Sequence, residues 1–395
     1  MLSSYGRVLS TPGGWQFSLS GLVARLPISM ISLGIVLLVS ASTGSYGLAG
    51  TIASAYLFAN AAFAIVQGRL VDRFGQHVVL PLAQTTFTVA LCLMIWAIEA
   101  DANRLVVHAL AVIAGGALPQ VGACVRARWS HVLSEGRSVQ TAYALESVVD
   151  EVVFVTGPTV VTFLATAWHP IAGLAAAMTS GLIGTLALAA QRRTQPPPRA
   201  HRSTNGERPP MPWRTVVPLA MMCVALGVIF GSVEVITVAF SEELHAKRWA
   251  GPLLGLWALG SLLAGLASGA VSWRTPPETR ARWGVLALGL TMVPLAFVGS
   301  MVVMGGFLLL GGMAIAPTLI ATLSATERAV PASRLTEGMA ILHTGLGVGV
   351  APGAAFAGLL IDAYGASPAY VVPVAAGVLG AAAAWSARAP VTSSP

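Results

Sequence analysis

Four charged residues lie inside long apolar stretches of this chain, where they could form an ion pair or carry a proton. Arg25 lies in the first apolar stretch, and Glu146, Asp150 and Glu151 lie close together in the fifth. Charges inside an apolar helix usually pair with one another or face a water-filled cavity. Glu146 and Asp150 are four residues apart and share one helix face, whereas Glu151 is turned roughly 100° from Asp150.

These positions suggest two roles for the group. In the first, Arg25 pairs with Glu146 or Asp150, and one of the two acids binds and releases a coupling proton. Two neighbouring carboxylates in a low-dielectric medium favour protonation of one of them, which suits such a carrier. In the second, the group is a structural ion pair that joins two helices.

Two further ionisable residues are weaker candidates. Glu234 lies near one end of the seventh apolar stretch, where it could bind a proton or a cationic substrate. The alternative is that Glu234 is an acid at a helix end, like the nearby Glu242 and Glu243. His343 lies in the eleventh stretch and is either a proton carrier or a buried histidine whose hydrogen bonds are satisfied.

The composition indicates that these stretches cross a membrane. Hydrophobic residues make up 55% of the chain and charged residues only 9%, whereas soluble domains contain roughly 25% charged residues. Apolar stretches of about 20 residues span the hydrocarbon core as helices, because a backbone in lipid must satisfy its own hydrogen bonds. The alternation typical of a membrane β-barrel is absent. The predicted fold class is therefore an all-α integral membrane protein.

We predict twelve transmembrane helices in two pseudo-symmetric six-helix bundles. The predicted spans are 19–41, 46–67, 78–98, 105–125, 139–166, 170–190, 214–240, 250–272, 283–300, 302–323, 334–362 and 367–387. Between the sixth and seventh spans, residues 191–213 contain many prolines and arginines, which predicts a mobile or extended linker. The bundles are therefore expected to cover residues 1–190 and 214–395.

The distribution of positive charge predicts the orientation of the chain. With a cytoplasmic N-terminus, 18 of the 22 Lys and Arg residues fall in cytoplasmic segments. This asymmetry predicts a cytoplasmic N-terminus and, with an even number of spans, a cytoplasmic C-terminus. We expect the protein in the inner or plasma membrane of the cell. The asymmetry also accounts for the net charge of +7, so no nucleic-acid partner is predicted. Tryptophans near span ends, such as Trp15, Trp129 and Trp213, predict an interfacial belt.

The two halves of the chain repeat weakly. Residues 143–158 match residues 337–352, and each segment ends in proline. The segment Gly115–Pro119 in the fourth span similarly matches Gly312–Pro317 in the tenth. Parallel repeats of half the chain length are typical of transporters whose halves are related by an axis along the membrane normal.

The segment Gly68–His77, between the second and third spans, carries the most specific motif. It reads GRLVDRFGQH, so Gly68 and Gly75 bracket Asp72 and two arginines. We predict a short charged loop, because both glycines permit tight turns. Together with the spans, the repeat and the linker, this segment resembles the G-x-L-x-D-R-x-G-R/K loop of the major facilitator superfamily.

The resemblance implies two helix bundles around a central cavity that opens alternately to the two sides of the membrane. It also implies a conformational gate formed by Gly68, Asp72, Arg73 and Gly75. Asp72 would face the positive N-terminal end of the eleventh span, near residues 335–337, and Arg73 would hold Asp72 or another cytoplasmic acid. The alternative is a solvated turn.

Part of the sequence also resembles bacterial drug exporters. Their antiporter signature, G-x8-G-x3-G-P in the fifth span, is reduced to Gly157 and Pro158. A fuller version with Gly338, Gly347 and Pro352 lies in the eleventh span. Small residues and a proline permit close packing and a bend. The fourth span lacks the buried arginine of the family's R-x-x-q-G motif.

These features favour a transporter over an enzyme. No nucleotide-binding loop, zinc pattern or nucleophile elbow is present, and the three cysteines form neither a metal pattern nor a required disulfide. We predict a monomeric secondary transporter, without cofactor or metal, that uses the proton gradient to export a small amphipathic or apolar compound. Proton-coupled uptake of a sugar or an organic acid is one alternative. A membrane receptor or partner-binding subunit that does not transport is another.

Overall fold

The structure is a computed structural model that describes residues 2–133, 136–198, 210–270, 274–331 and 335–386. In these residues every regular element is a helix. The predicted all-α fold class is therefore confirmed. Long apolar stretches form helices because each peptide group then finds its hydrogen-bond partner within the same segment.

The helices follow one another with short connections. The first half of the chain forms α1 (Leu2–Leu9), α2 (Gly14–Thr43), α3 (Tyr46–Phe74), α4 (Gln76–Glu99), α5 (Arg104–Ala117), α6 (Val121–Val132), α7 (Gly136–Ala167) and α8 (Ala172–Ala190). The second half forms α9 (Trp213–Glu243), α10 (Ala250–Ala270), α11 (Pro277–Thr291), α12 (Met301–Gly312), α13 (Ile315–Ala329), α14 (Leu335–Tyr364), α15 (Ala366–Ala369) and α16 (Val371–Ser386). Short 3₁₀ helices lie at Arg192–Thr194, Lys247–Trp249 and Pro294–Phe297.

Eleven stretches of the described residues are long and apolar enough to cross a membrane. The remaining predicted span, residues 283–300, corresponds to α11 and the 3₁₀ helix that follows it. The helix α11 ends at Thr291, and Pro294 lacks the backbone N–H that would continue it. The twelve-span prediction agrees with this architecture, although several spans begin or end a few residues from their predicted limits.

Two spans are broken helices. The fourth span consists of α5 and α6, which are separated at residues 118–120 around Pro119. Gln67 on α3 donates hydrogen bonds to the carbonyl oxygens of Gly116 (2.6 Å) and Leu118 (3.0 Å). These bonds satisfy carbonyls that the interrupted helix leaves without a partner. The tenth span consists of α12 and α13, separated at residues 313–314. The two breaks lie in the segments that the sequence repeat pairs.

The contacts between helices divide the chain into two compact units. The first covers residues 1–42 and 59–204, and the second covers residues 43–58 and 205–395. Relative to the predicted bundles, the main difference is that the start of α3 clusters with the second unit.

Small residues explain this assignment of the start of α3. A Cβ atom at Gly50 would meet the backbone of Ala354 on α14, and one at Gly358 would meet the backbone of Tyr46. Ser54 on α3 donates a hydrogen bond to the backbone carbonyl oxygen of Ala351 on α14. The backbones of α3 and α14 therefore approach closely over this segment, as small residues allow in membrane helices.

The start of the predicted linker is folded onto the first unit. Arg128 on α6 donates hydrogen bonds to the carbonyl oxygen of Gln191 (2.8 Å) and to the hydroxyl of Thr194 (2.9 Å). The prediction of a mobile or extended segment is therefore wrong for residues 191–194, because a buried arginine supplies their hydrogen bonds. Residues 199–209 lie outside the described part of the chain.

Candidate functional site

Three ion pairs join α2, α6 and α7 inside the first unit. Arg25 contacts Asp150 at 2.8 Å through one terminal nitrogen and Glu146 through the other. Arg126 contacts the second oxygen of Asp150 at 2.6 Å. Arg25 is 4% exposed, Glu146 is fully buried, and Asp150 is 30% exposed. The structure thus pairs Arg25 with both of the acids that the helical spacing placed on one face.

Glu146 is the most enclosed member of this network. Its second oxygen accepts hydrogen bonds from the hydroxyl of Ser18 and the indole nitrogen of Trp129, both at 2.8 Å. Trp129 packs edge to face against Phe17, with 4.4 Å between the ring centroids, in the core of the unit. The prediction of Trp129 at the membrane interface is therefore wrong, because its indole N–H finds a carboxylate inside the bundle.

Two arginines of α6 belong to the interior of the unit rather than to a loop. The predicted fourth span ended at Val125, but α6 continues to Val132. Arg126 is partly buried against Asp150, and Arg128 is fully buried. The spacing of Val121, Val125 and Arg128 repeats with the helical period, so extending the helix past the apolar run would have revealed this buried face.

Glu151 lies outside the network. It is half-buried, and it joins none of the hydrogen bonds or ion pairs found between the described residues. With its acids ionised, the network of Arg25, Arg126, Glu146 and Asp150 is electrically neutral. Protonation of Asp150 would leave one positive charge in excess and weaken two ion pairs at once, whereas protonation of Glu151 would break none.

The glycine–proline pair of α7 packs against α2 beside this network. A Cβ atom at Gly157 would overlap the hydroxyl of Ser29, and Ser29 donates a hydrogen bond to the carbonyl oxygen of Val153 at 3.0 Å. Pro158 lies inside the helix without ending it. Gly157 is therefore required for the close approach of the two helices that carry Arg25 and Asp150.

The other candidate residues lie in the second unit. Glu234 is half-buried on α9, and one helical turn before it Phe230 packs edge to face against Trp257, with ring centroids 5.3 Å apart. His343 lies on α14, but its side chain is outside the described part of the structure.

The longer glycine–proline pattern lies on α14 as predicted. Gly338, Gly347 and Pro352 all fall within this continuous helix of 30 residues. A Cβ atom at Gly338 would lie 3.2 Å from a methyl group of Val330. The pattern is therefore placed in a tightly packed helix that continues past its internal proline.

The predicted charged loop at Gly68–His77 is mostly helical. The helix α3 continues to Phe74, so Gly68 is a helical residue with open space around it, and the prediction of a turn at Gly68 is wrong. Gly75 does make the turn, with φ of 84°. Asp72 and Arg73 are exposed, and the guanidinium of Arg73 lies 5.1 Å from the ring centroid of Phe74. The predicted contact of Asp72 with residues 335–337 concerns side chains outside the described part of the structure.

Three acids lie at helix ends in the second unit. Asp362 on α14 accepts hydrogen bonds at 2.7 Å from the backbone N–H groups of Tyr46 and Gly47, in the first turn of α3. Glu242 accepts one from the hydroxyl of Tyr46, and Glu243 accepts one from the N–H of Ala366 at 2.7 Å. Asp362 and Glu243 therefore satisfy backbone donors that helix termini leave free.

Comparison with known protein families identifies the family of this chain. The family model of the Major Facilitator Superfamily matches residues 17–325, which is more than half of the chain. The chain belongs to the major facilitator superfamily. A comparison with curated protein sequences gives no match.

Solved structures of other superfamily-type transporters share this fold. The nucleoside transporter NupG matches with a TM-score of 0.70 and 12% identity over 94% of this chain and 98% of its own. A peptide transporter of the POT family, in an auto-inhibited form, gives 0.67 and 12% over 96% and 98%. A bacterial homologue of the iron transporter ferroportin, facing inward, gives 0.67 and 14% over 94% and 98%. At these identities the likeness concerns the fold alone.

Membership in the superfamily establishes the coarse function. The chain is a multi-pass membrane protein and a secondary transporter, and it is not an enzyme. Its substrate is a small molecule. The network of Arg25, Glu146, Asp150 and Arg126 is the principal charged site inside the first unit.

Proposed function

We propose that this transporter exports a small amphipathic or apolar compound in exchange for protons, by alternating access. It would lie in the cell membrane as a monomer with both termini in the cytoplasm, and it would use the proton gradient without any cofactor. The observation that carries the proposal is the position of Asp150 between two arginines on two different helices.

Asp150 is the acid best suited to couple a proton to a change in structure. It is 30% exposed, so a proton can reach it, and its ionised form holds α7 to α2 through Arg25 and to α6 through Arg126. A proton on Asp150 would weaken both contacts together. Charged groups inside membrane helices commonly form such proton relays.

The two neighbouring acids have different roles. Glu146 is fully buried with three donors, so it holds the bundle together and keeps Arg25 in place. Among the described residues Glu151 has no ion pair to a cation, so a proton on it would break none of their contacts. It therefore serves as the matched control for Asp150, since it is adjacent in sequence and on the same helix.

Export is supported by the apolar character of the spans and by the glycine–proline patterns in α7 and α14. Glu234, beside the aromatic pair of Phe230 and Trp257, is the group that would favour compounds with a positive charge, because a carboxylate and an aromatic face both attract cations.

Proteoliposomes that contain a trapped pH-sensitive dye test this proposal. Amphipathic cations and neutral apolar compounds are added from outside, with sugars and organic acids in parallel. In wild type and Glu151→Gln we expect at least one amphipathic compound to enter while protons leave. In Asp150→Asn we expect at least a tenfold loss of this coupled proton movement, in protein that still elutes as a monodisperse species.

The other outcomes contradict parts of the proposal. Movement of compound and protons in the same direction would indicate uptake, and binding without flux would indicate a receptor. Coupled flux that is equal in wild type and Asp150→Asn would exclude Asp150 as the coupling acid.

A further inference from the structure

Arg128 is a buried cation whose partners are all neutral. Its guanidinium is fully buried, and it donates to the side-chain oxygen of Gln76 (2.7 Å), to the carbonyl oxygens of Leu188 (2.9 Å) and Gln191 (2.8 Å), and to Thr194. No ion pair to a carboxylate forms within the described residues. The end of α8 and the segment after it are therefore folded around an uncompensated positive charge.

A cavity of about 380 Å³ lies over this segment. Its lining residues are Gln16, Ala190, Gln191, Arg192, Arg193 and Thr194. Arg192 and Arg193 are exposed, and none of the lining residues is acidic. The region is strongly positive because it contains three guanidinium groups. Those of Arg192 and Arg193 lie at the cavity, and that of Arg128 is buried and donates hydrogen bonds to Thr194 and to the backbone of Gln191. An anion with several acceptor oxygens fits this arrangement, because guanidinium groups bind phosphate oxygens through paired hydrogen bonds.

Exposed apolar side chains of α2 and α8 border the cavity. Leu19 lies one turn beyond Gln16 on α2, and Leu186 and Ile183 lie one and two turns before Ala190 on α8, so each lies on the helix side that borders the cavity. These three side chains are 54%, 42% and 61% exposed. Trp15, which is 56% exposed, lies beside Gln16, as tryptophans do at the headgroup level.

We propose that this cavity binds the phosphodiester headgroup of an anionic phospholipid, whose acyl chains lie along the exposed apolar faces of α2 and α8. Arg192 and Arg193 bind the phosphate oxygens, and the buried Arg128 holds residues 191–194 in position through its hydrogen bonds. Basic pockets at the ends of membrane helices bind anionic headgroups in this manner. The apolar surface beside the cavity favours a lipid over free phosphate.

Titration of the detergent-purified full chain with dioleoyl phosphatidylglycerol, followed by native mass spectrometry, tests this site. The variant Arg192→Gln/Arg193→Gln leaves Arg128 and the fold untouched, and we expect its affinity for the lipid to fall by about 30-fold. The control Arg7→Gln/Arg69→Gln removes the same charge from two other exposed positions and should bind within about twofold of wild type. Thermal unfolding of each variant checks that all are folded.

Two further titrations identify the ligand. Dioleoyl phosphatidylcholine, which has the same chains but no net charge, should bind markedly more weakly than phosphatidylglycerol, and millimolar inorganic phosphate should not displace the lipid. Equal binding of the two lipids, or equal losses in both double variants, would overturn the site. Efficient displacement by inorganic phosphate would show that the cavity takes free phosphate, and would overturn the assignment to a lipid. None of these readouts depends on transport.

Discussion

The acidic side chains of the two units differ in their position and in their partners. In the first unit Glu146 and Asp150 lie within the bundle and pair with Arg25 and Arg126. In the second unit Asp362, Glu242 and Glu243 lie at helix ends and accept hydrogen bonds from backbone N–H groups and a tyrosine, and Glu242 also pairs with Lys247 near the surface, at 3.0 Å. Protonation in the first arrangement would weaken buried ion pairs, whereas protonation of Asp362 or Glu243 would weaken a helix cap.

Close packing of glycines against backbone is more extensive in the second unit than in the first. The helices α9 and α14 of the second unit meet through glycines, so that a Cβ atom at Gly349 would overlap the carbonyl oxygen of Val224 and one at Gly227 would overlap that of Leu346. Such contacts leave little room for water or charge. Among the described residues, the buried ion pairs therefore lie in the first unit, and close backbone packing through glycines is more extensive in the second.

Removal of Arg25 should have the largest effect on stability. The variant Arg25→Met leaves Glu146 buried without its cation, and breaking one side of a buried ion pair costs about 3–5 kcal/mol. We expect a large drop in the unfolding temperature of the purified protein, measured by intrinsic tryptophan fluorescence.

The double variant Arg25→Met/Glu146→Gln controls for this prediction. A glutamine oxygen can still accept from Ser18 and Trp129, and no buried charge remains unpaired at that position. The double variant should therefore be more stable than Arg25→Met alone. A double variant as unstable as the single one would mean that the loss of stability comes mainly from lost packing of the Arg25 side chain, and not from the unpaired buried charge of Glu146.

A methyl group at Gly349 should have the next largest effect. Overpacking of this kind costs roughly 1–3 kcal/mol, because the backbone of α9 must move away from α14. The matched control is Gly306→Ala on α12, where no atom lies within 4 Å of the added Cβ and alanine favours the helix by up to ~1 kcal/mol. Equal unfolding temperatures for Gly349→Ala and Gly306→Ala would contradict the assignment of close packing to α9 and α14.

The sequence predicted the parts of the site that depend on periodicity within one helix. The four-residue spacing of Glu146 and Asp150 placed them on one face, and a charge in the first span offered the partner. The roles of Arg126 and Trp129 could not be predicted, because they depend on how far α6 extends past its apolar residues. Nor could the composition show which of the two glycines ends α3: Gly68 remains helical, and the turn falls at Gly75, which has a positive φ.

The cap that Asp362 places on α3 should contribute the smallest of these effects. Asp362→Ala removes acceptors from the N–H groups of Tyr46 and Gly47, and loss of a capping side chain costs about 0.5–2 kcal/mol. Hydrogen–deuterium exchange should show faster exchange in the peptide that contains these two amides, because their hydrogen bonds to the carboxylate are lost. Glu243→Ala is the control, since it frees the N–H of Ala366 and should leave the start of α3 protected. Unchanged exchange at the start of α3 in Asp362→Ala would mean that the glycine contacts with α14, and not the carboxylate, hold this segment in the second unit.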